Sequence, residues 1–284
     1  MNEDKQTQIV QKLYTTVFGR FLLRILIRPW VSKLAGAFMD SRLSKIMIPG
    51  FIKKNNIDLS CYEKTEKANY RSFNDFFIRR IKPELRPVAM EWDALISPCD
   101  GRLSVEEISM DSRFQVKGRS YTMDELIRDE DLAAQYDGGT LLLFRLTVSD
   151  YHRYHYPDSG IKSGNTRIAG VLHTVHPIAA ESRWLYSDNA REYFVLHSDN
   201  FDDMLMIQVG ALLVGRICNQ YEAAAVQRGH VAGWFEYGGS TVILCLKRGV
   251  AEILPEIQEA ARKAEVRVKM GQRIGTYRSR EVLC

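Results

Sequence analysis

The sequence lacks paired cysteines, a strong excess of one charge and any apolar run long enough to cross a bilayer. Its five cysteines are odd in number and scattered among 284 residues without a CxxC pair, which indicates a reducing compartment. The net charge of +4 is too small to indicate a nucleic-acid partner. The N-terminus has neither a secretory signal pattern nor an Arg-rich, acid-poor transit peptide. With 45% hydrophobic residues, the chain is predicted to form one large or two modest globular domains.

Basic residues are concentrated at the N-terminus. Residues 1–54 contain ten basic and three acidic side chains, a net charge of +7, whereas the other 230 residues carry −3. Between residues 9 and 27, apolar side chains recur three and four apart, while arginines stand at positions 20, 24 and 28. This spacing predicts an amphipathic helix that ends at Pro29. Because the arginines interrupt the apolar run, the helix is expected to lie on a membrane surface.

A second stretch, residues 30–52, also mixes apolar and basic side chains. Its lysines and arginines could reach lipid phosphates while the apolar residues enter the headgroup boundary. We therefore expect residues 1–57 to form a helical, membrane-anchoring region of a peripheral protein, at the cytoplasmic face of the cell membrane. The alternative is that both helices only pack on the domain behind them.

The rest of the chain is predicted to be rich in strands. Short β-like runs punctuated by glycine occupy residues 94–96, 103–108, 139–146, 160–175, 192–196, 204–217, 229–235 and 241–246. One helix is predicted at 255–264, and Ser72 is placed to cap a short helix. This pattern favours an α+β fold in which residues 58–284 form one mostly antiparallel β domain behind the N-terminal helices.

Three segments place a reactive side chain beside a chain reversal: Ser97-Pro98-Cys99-Asp100-Gly101, Asp150-Tyr151-His152-Arg153-Tyr154-His155 and Tyr237-Gly238-Gly239-Ser240-Thr241. Each has a purely structural alternative, because Asp-Gly is a frequent turn and the glycine pair could form a hairpin. Two HxxH pairs, at 152/155 and 173/176, lack a Glu or Cys at a familiar zinc spacing, so no metal site is predicted.

Together the segments supply a carboxylate, an imidazole and a hydroxyl in the order Asp100, His155, Ser240. An imidazole can activate a serine hydroxyl, and a carboxylate can orient the imidazole. A hydrolase acting on an external ester is one interpretation, although Val242 breaks the GxSxG pattern of a nucleophile elbow. A non-catalytic lipid-binding β module is another.

The ordered set of motifs resembles the phosphatidylserine decarboxylases over about residues 72–246. Besides the three segments above, the resemblance rests on motifs in the order Phe73-Asn74-Asp75-Phe76-Phe77, Arg86-Pro87, Phe114-Gln115-Val116-Lys117-Gly118, Val209-Gly210-Ala211, Val214-Gly215, Gly229-His230 and Gly233-Trp234-Phe235. One departure is that Gly238 stands where many bacterial and mitochondrial members have leucine, which leaves the Gly-Ser-Thr sequence intact.

The resemblance implies a self-cleaving proenzyme. Asp100, His155 and Ser240 would cut the chain after Gly239, and Ser240 would become a pyruvoyl group, the enzyme's covalent cofactor. That group would draw electrons from the breaking C–CO₂⁻ bond of phosphatidylserine, giving phosphatidylethanolamine. By analogy, His152 would assist decarboxylation.

The resemblance also implies two fragments that stay together as a heterodimer, residues 1–239 and the 45-residue piece 240–284. A homodimer of that heterodimer is a further assembly to consider. A decarboxylase of the same family that acts on a soluble amino acid is the remaining alternative, and it would have less use for lipid-facing helices.

Overall fold

The computed structural model describes residues 29–109, 114–116, 119–171, 188–211, 216–237 and 240–278, with the single positions Lys12, Thr16, Phe18, Gly19 and Phe21. Three predicted features lie outside these residues: glycines 238 and 239 at the predicted cleavage site, histidines 173 and 176, and most of the predicted helix at 9–27.

Helices in the described residues are short and concentrated before residue 78. They are α1 (Pro29–Asp40), α2 (Met47–Asn55), α3 (Phe73–Phe77), α4 (Met123–Ile127), α5 (Glu130–Ala134) and α6 (Pro255–Lys263). Four 3-10 helices accompany them, at Arg42–Ile46, Leu59–Cys61, Lys67–Asn69 and Pro83–Leu85. The predicted C-terminal helix is confirmed as α6. The predicted cap is confirmed as well, since the backbone N–H of Asp75 donates to Ser72 Oγ at 3.1 Å.

Strands make up most of the remaining described chain. They are β1 (Ala94–Ile96), β2 (Gly101–Glu107), β3 (Phe114–Val116), β4 (Arg119–Tyr121), β5 (Thr140–Leu146), β6 (Arg153–His155), β7 (Gly160–Lys162), β8 (Thr166–Ile168), β9 (Arg191–Ser198), β10 (Asp202–Val209), β11 (Ile217–Asn219), β12 (Ala224–Val226), β13 (Val231–Phe235), β14 (Ser240–Leu246), β15 (Ala251–Ile253), β16 (Val266–Val268) and β17 (Arg273–Tyr277).

A nine-stranded sheet forms the centre of the fold. Its order is β12-β7-β9-β10-β14-β5-β2-β16, with β8 also pairing with β9. Smaller sheets have the orders β11-β13-β6 and β1-β17-β15, and β3 pairs with β4. Every pair of named strands in the described chain is antiparallel, which confirms the predicted α+β class with mostly antiparallel sheets.

Strand β14 is the most enclosed strand of the central sheet. It pairs with β10 on one side and β5 on the other, and all seven of its residues are buried. Its alternate side chains divide between two cores: Val242, Leu244 and Leu246 join one cluster, and Ile243 and Cys245 join the other. Burial on both faces explains why the sequence shows a continuous apolar run here rather than an alternating pattern.

An aromatic cluster joins the N-terminal helices to the β domain. Phe73, Phe76 and Phe77 of α3 are completely buried and pack with Met39 of α1 and Ile48 of α2. The ring centroids of Phe73 and Tyr237 are 5.1 Å apart, so the same cluster reaches the segment just before the Gly239-Ser240 junction. The helices from residue 29 onward therefore share a core with the segment that leads into β14.

Two further observations concern the membrane and the cysteines. Along the described stretches of the chain, no helix has the length and apolar content needed to span a bilayer. The four described cysteines, 61, 99, 218 and 245, are not in disulfides.

Candidate active site

Ser240 is the first residue of β14 and lies opposite Leu146 of β5. Its side chain is fully buried, and among the described residues its Oγ has no hydrogen-bond partner. Buried hydroxyls are normally hydrogen-bonded because leaving one unpaired costs about 1–3 kcal/mol. A reactive role for Ser240, which directly follows a glycine, would explain why its hydroxyl is buried without a hydrogen-bond partner in the described residues.

His155 ends β6 and is held by backbone groups. Its ring Nδ1 lies 2.8 Å from the carbonyl oxygen of Gly229, and its backbone N–H donates to the carbonyl oxygen of Pro98 at 2.7 Å. A carbonyl oxygen can only accept, so Nδ1 carries the proton and Nε2 keeps its lone pair. Nε2 is buried and unpaired within the described part of the chain. The ring therefore has the tautomer of a general base at Nε2.

Burial also sets the charge of this imidazole. Removal from water lowers the pKa of His155 to about 4, and the Gly229 carbonyl and the nearby Asp100 charge offset only part of that shift. His155 is consequently neutral at physiological pH, the form that can accept a proton.

Asp100 lies in the turn before β2 and is engaged by other groups. Arg86 forms a bidentate pair with its carboxylate, through Nε at 2.8 Å to Oδ1 and through Nη2 to Oδ2. The backbone N–H of Met270 donates to Oδ1 at 2.9 Å. Asp100 interacts electrostatically with His155, but the described contacts contain no hydrogen bond between their side chains.

His152 lies beside the aromatic cluster. Its ring centroid is 4.1 Å from that of Phe77, and its Nδ1 is 2.9 Å from the carbonyl oxygen of Asp150. The N–H of Phe235 donates to the His152 carbonyl at 3.0 Å, which ties this histidine to the strand that leads to Tyr237. Of the two histidines, His152 is thus the one linked through Phe77 and Tyr237 to the junction.

The structure brings these segments together without completing a hydrogen-bonded triad. Cys99, next to Asp100, and Tyr154 and Tyr156, on either side of His155, pack in the cluster that contains Val242 of β14. In the described chain, neither Ser240 Oγ nor His155 Nε2 forms a hydrogen bond, so the two atoms are not bonded to each other. The sequence analysis did not predict two of these interactions: the ion pair of the Arg86 guanidinium with Asp100, and the hydrogen bond between the Gly229 carbonyl and His155. Arg86-Pro87 and Gly229-His230 were recognised as motifs, and that was the only indication in the sequence that these two residues belong to the site.

The chemistry of this group of residues suits acyl transfer. Across the part of the chain that the structure describes, no three His, Cys, Asp or Glu residues are arranged to hold a metal ion. The Ser240 hydroxyl and the neutral His155 Nε2, both buried and unpaired within the described residues, have the properties that a nucleophile and a general base require. These groups fit the formation of a pyruvoyl group from Ser240.

Comparison with known proteins adds an independent observation. The family model described as phosphatidylserine decarboxylase matches residues 73–276. Phosphatidylserine decarboxylase proenzyme 2 of Clostridium acetobutylicum is 42% identical over 265 residues, covering 93% of this chain and 90% of that protein.

Two further relatives are also phosphatidylserine decarboxylase proenzymes. A phosphatidylserine decarboxylase proenzyme of Clostridium perfringens is 41% identical over 267 residues, covering 92% of this chain and 90% of its own length. One from Ruminiclostridium cellulolyticum is 39% identical over 274 residues, covering 94% and 91%. With a family model across most of the chain and identities of this size over nearly its whole length, the chain belongs to the phosphatidylserine decarboxylase family.

Proposed function

We propose that this chain is a proenzyme that cuts itself after Gly239 and then converts phosphatidylserine to phosphatidylethanolamine. The observation that carries the proposal is the buried, unpaired hydroxyl of Ser240 at the Gly-Ser-Thr sequence of a chain in this family. Family membership favours this function over hydrolysis of an external ester and over a non-catalytic lipid-binding module.

The first step is an N-to-O acyl shift. Ser240 Oγ attacks the carbonyl carbon of Gly239 while His155 Nε2 takes the hydroxyl proton, and that proton passes to the departing nitrogen of residue 240. The amide bond breaks and an ester between Gly239 and Ser240 forms. Glycine at 239 suits this step, because a residue without Cβ leaves room for the hydroxyl to approach its carbonyl.

The second step is β-elimination. His155 Nε2, neutral again, is the base we assign to the Cα proton of residue 240, and the Gly239 carboxylate leaves with the electron pair of the Cβ–O bond. The elimination leaves a dehydroalanine, whose enamine takes up a proton at Cβ and becomes an imine. Addition of water to that imine releases ammonia and leaves a ketone on the new N-terminus of residues 240–284. Because β14 is buried between β10 and β5, this fragment would stay attached to residues 1–239 as a heterodimer.

Asp100 and His152 are assigned supporting roles. The Asp100 carboxylate, fixed by Arg86, favours the positive charge that His155 acquires during proton transfer. Once formed, the pyruvoyl group supplies an electron sink for decarboxylation. His152 would then hold the substrate carboxylate or return the proton that replaces CO₂.

The N-terminal helices are proposed to keep the enzyme at the membrane. Leu34, Leu43 and Ile46 are 64%, 77% and 84% exposed, in a region that also carries the basic excess of the chain. Exposed apolar side chains beside basic ones are typical of helices that lie in the headgroup region. This supports residues 1–57 as the anchoring region and a phospholipid rather than a soluble amino acid as substrate. The cytoplasmic face as the side of attachment, and residues 58–284 as the catalytic domain, are further parts of the proposal. A homodimer of the heterodimer remains part of the proposal.

Replacing Ser240 by alanine should leave a full-length protein, because no other hydroxyl would attack Gly239. We expect decarboxylation, measured as CO₂ release from phosphatidylserine, to fall at least about a thousandfold. Ser104→Ala, a change at a half-buried serine of β2, is the control and should give two fragments on a denaturing gel. Normal two-fragment processing of Ser240→Ala would refute the assignment.

The two histidines should separate cleavage from turnover. His155→Ala is expected to slow cleavage by about 10²–10⁴-fold through loss of the base, whereas His152→Ala should cleave normally and lose about 10²–10⁴-fold in turnover. Gel analysis of precursor decay and a CO₂-release assay measure the two effects. The exposed His197 offers a matched control, since His197→Ala should change neither. A cleavage defect in His152→Ala would contradict this division.

Cleavage should depend on pH through His155. Only the neutral ring accepts the Ser240 proton, so the cleavage rate should be level from about pH 5 upward and fall as the pH drops through about 4, the lowered pKa of this histidine. The measurement is the decay of freshly translated precursor across buffers. A rate that kept rising between about pH 6 and pH 8 would show that the base has a different pKa.

Vesicle binding should depend on the exposed apolar residues before α2. The double variant Leu43→Ser/Ile46→Ser should bind anionic vesicles at least about tenfold more weakly, because each side chain loses roughly 1.5–3 kcal/mol of burial in lipid. Co-sedimentation measures the difference. Ile161→Ser alters a 62% exposed residue of β7 and should bind like the wild type. Equal binding by all three proteins would remove the anchor from the proposal.

A further inference from the structure

A cavity of about 260 Å³ opens beside Tyr237, two residues before Gly239. Phe51 of α2 and Phe73 of α3 line it together with Tyr237. Val148, in the segment that leads to Asp150 and His152, also lines it. The cavity thus lies between the N-terminal helices and the two segments that carry the candidate catalytic groups.

The cavity is separated from His152 by one aromatic layer. Tyr237, on its wall, lies 5.3 Å from Phe77 between ring centroids, and Phe77 lies 4.1 Å from His152. In phosphatidylserine, the phosphorus is only a few covalent bonds from the amine and carboxylate of the serine headgroup. A headgroup that reached the residue 240 terminus past Tyr237 would therefore place its phosphate close to this cavity.

The charge of the cavity is positive. Among the described residues that line it, Lys54 at the end of α2 alone is charged. Within the described residues, its ammonium takes part in no hydrogen bond or ion pair, so this exposed cation is open to an anion from outside the protein. A phosphodiester carries the complementary charge.

The size of the cavity and its surroundings match one part of the lipid. At about 260 Å³ it is near the lower end of small-molecule sites, roughly 300–1,000 Å³, so it accommodates a phosphate and its glycerol linkage but not two acyl chains. Met47 on its wall directly follows Ile46, which is 84% exposed. The acyl chains could thus remain in the bilayer on the Ile46 side.

We propose that this cavity is the phosphodiester subsite of the enzyme, with Lys54 as the cation that binds the phosphate. The aromatic wall of Phe51, Phe73 and Tyr237 borders the glycerol linkage and directs the serine end of the headgroup toward His152. This inference rests on the proposed function, since the subsite is a site for that substrate.

The role of the Lys54 charge is tested by comparing Lys54→Gln with Lys53→Gln. Lys53 is the neighbouring exposed lysine of α2, and it does not line the cavity. Steady-state kinetics use the processed enzyme and a short-chain, water-soluble phosphatidylserine, so that vesicle attraction does not contribute. Loss of a hydrogen bond between two charged groups should raise KM about tenfold for Lys54→Gln and leave kcat within about twofold. Lys53→Gln should match the wild type, and both should form two fragments normally.

The space is tested at Gly50, which lines the cavity within α2. A Cβ placed there meets nothing within 4 Å, and leucine favours a helix more than glycine does, so Gly50→Leu should fold and fill the opening. We expect kcat/KM to fall at least about tenfold with normal cleavage. Gly164→Leu, at a glycine that does not line the cavity and whose added Cβ also meets nothing within 4 Å, should remain near the wild-type value.

The outcomes distinguish failure of the subsite from failure of the proposed function. Wild-type kinetics in both Lys54→Gln and Gly50→Leu, with phosphatidylserine still decarboxylated, would overturn the subsite and leave the proposed function intact. An equal rise of KM in Lys53→Gln and Lys54→Gln would also overturn it, since general surface charge would then account for the effect. Absence of decarboxylation by the cleaved wild-type protein would overturn the proposed function itself.

Discussion

The proposed reactive centre depends on keeping one serine hydroxyl inside the protein, where no group of the described residues forms a hydrogen bond with it. Ser240 begins a strand that is hydrogen-bonded to neighbours on both sides and buried along its whole length. The strand fixes the position of the Ser240 backbone, and burial excludes water that would otherwise solvate the hydroxyl. The unpaired state costs about 1–3 kcal/mol, a penalty that the surrounding apolar packing can offset. In the proposed reaction, this hydroxyl is consumed and the penalty disappears with it.

The imidazole and carboxylate are fixed by different means from those of a hydrogen-bonded Ser-His-Asp triad. The carbonyl of Gly229 holds His155 in the tautomer with a basic Nε2. The sequence analysis had assigned this orienting role to the carboxylate of Asp100. Asp100 is held by Arg86 and by the N–H of Met270, so its charge has a fixed position near the ring. A carboxylate held in this way can stabilise the imidazolium by its charge alone. The role of Asp100 in cleavage stays a prediction.

Much of the fold could be predicted from local signals. The continuous apolar run at 241–246 predicted β14, the Pro255 start and its apolar spacing predicted α6, and Ser72 predicted a helix cap. The strands β6 and β12, of three residues each, are too short to show a period of two, and they were missed. The helix α4 was also missed, although Thr122 and Glu125 form a capping box at its start.

The contacts around the candidate site could not be predicted in the same way, because they join residues that are far apart in the sequence. Arg86 and Asp100 are 14 residues apart, and His155 and Gly229 are 74 apart, so no local pattern relates them. Similarly, the apolar spacing before residue 52 did not show that Phe51 and Tyr237 would border one cavity. The motifs supplied the candidate reacting residues by family resemblance, whereas the partners of those residues follow only from the tertiary structure.

Mass spectrometry of the purified wild-type protein, combined with hydrazine labelling, tests the origin of the cofactor most directly. The expected spectrum contains two fragments that correspond to residues 1–239 and 240–284, with the smaller one blocked to N-terminal sequencing and labelled by hydrazine through a terminal ketone. A single unlabelled chain of 32.6 kDa with an intact Ser240 at the start of β14, in a preparation that decarboxylates phosphatidylserine, would contradict self-cleavage as the source of activity.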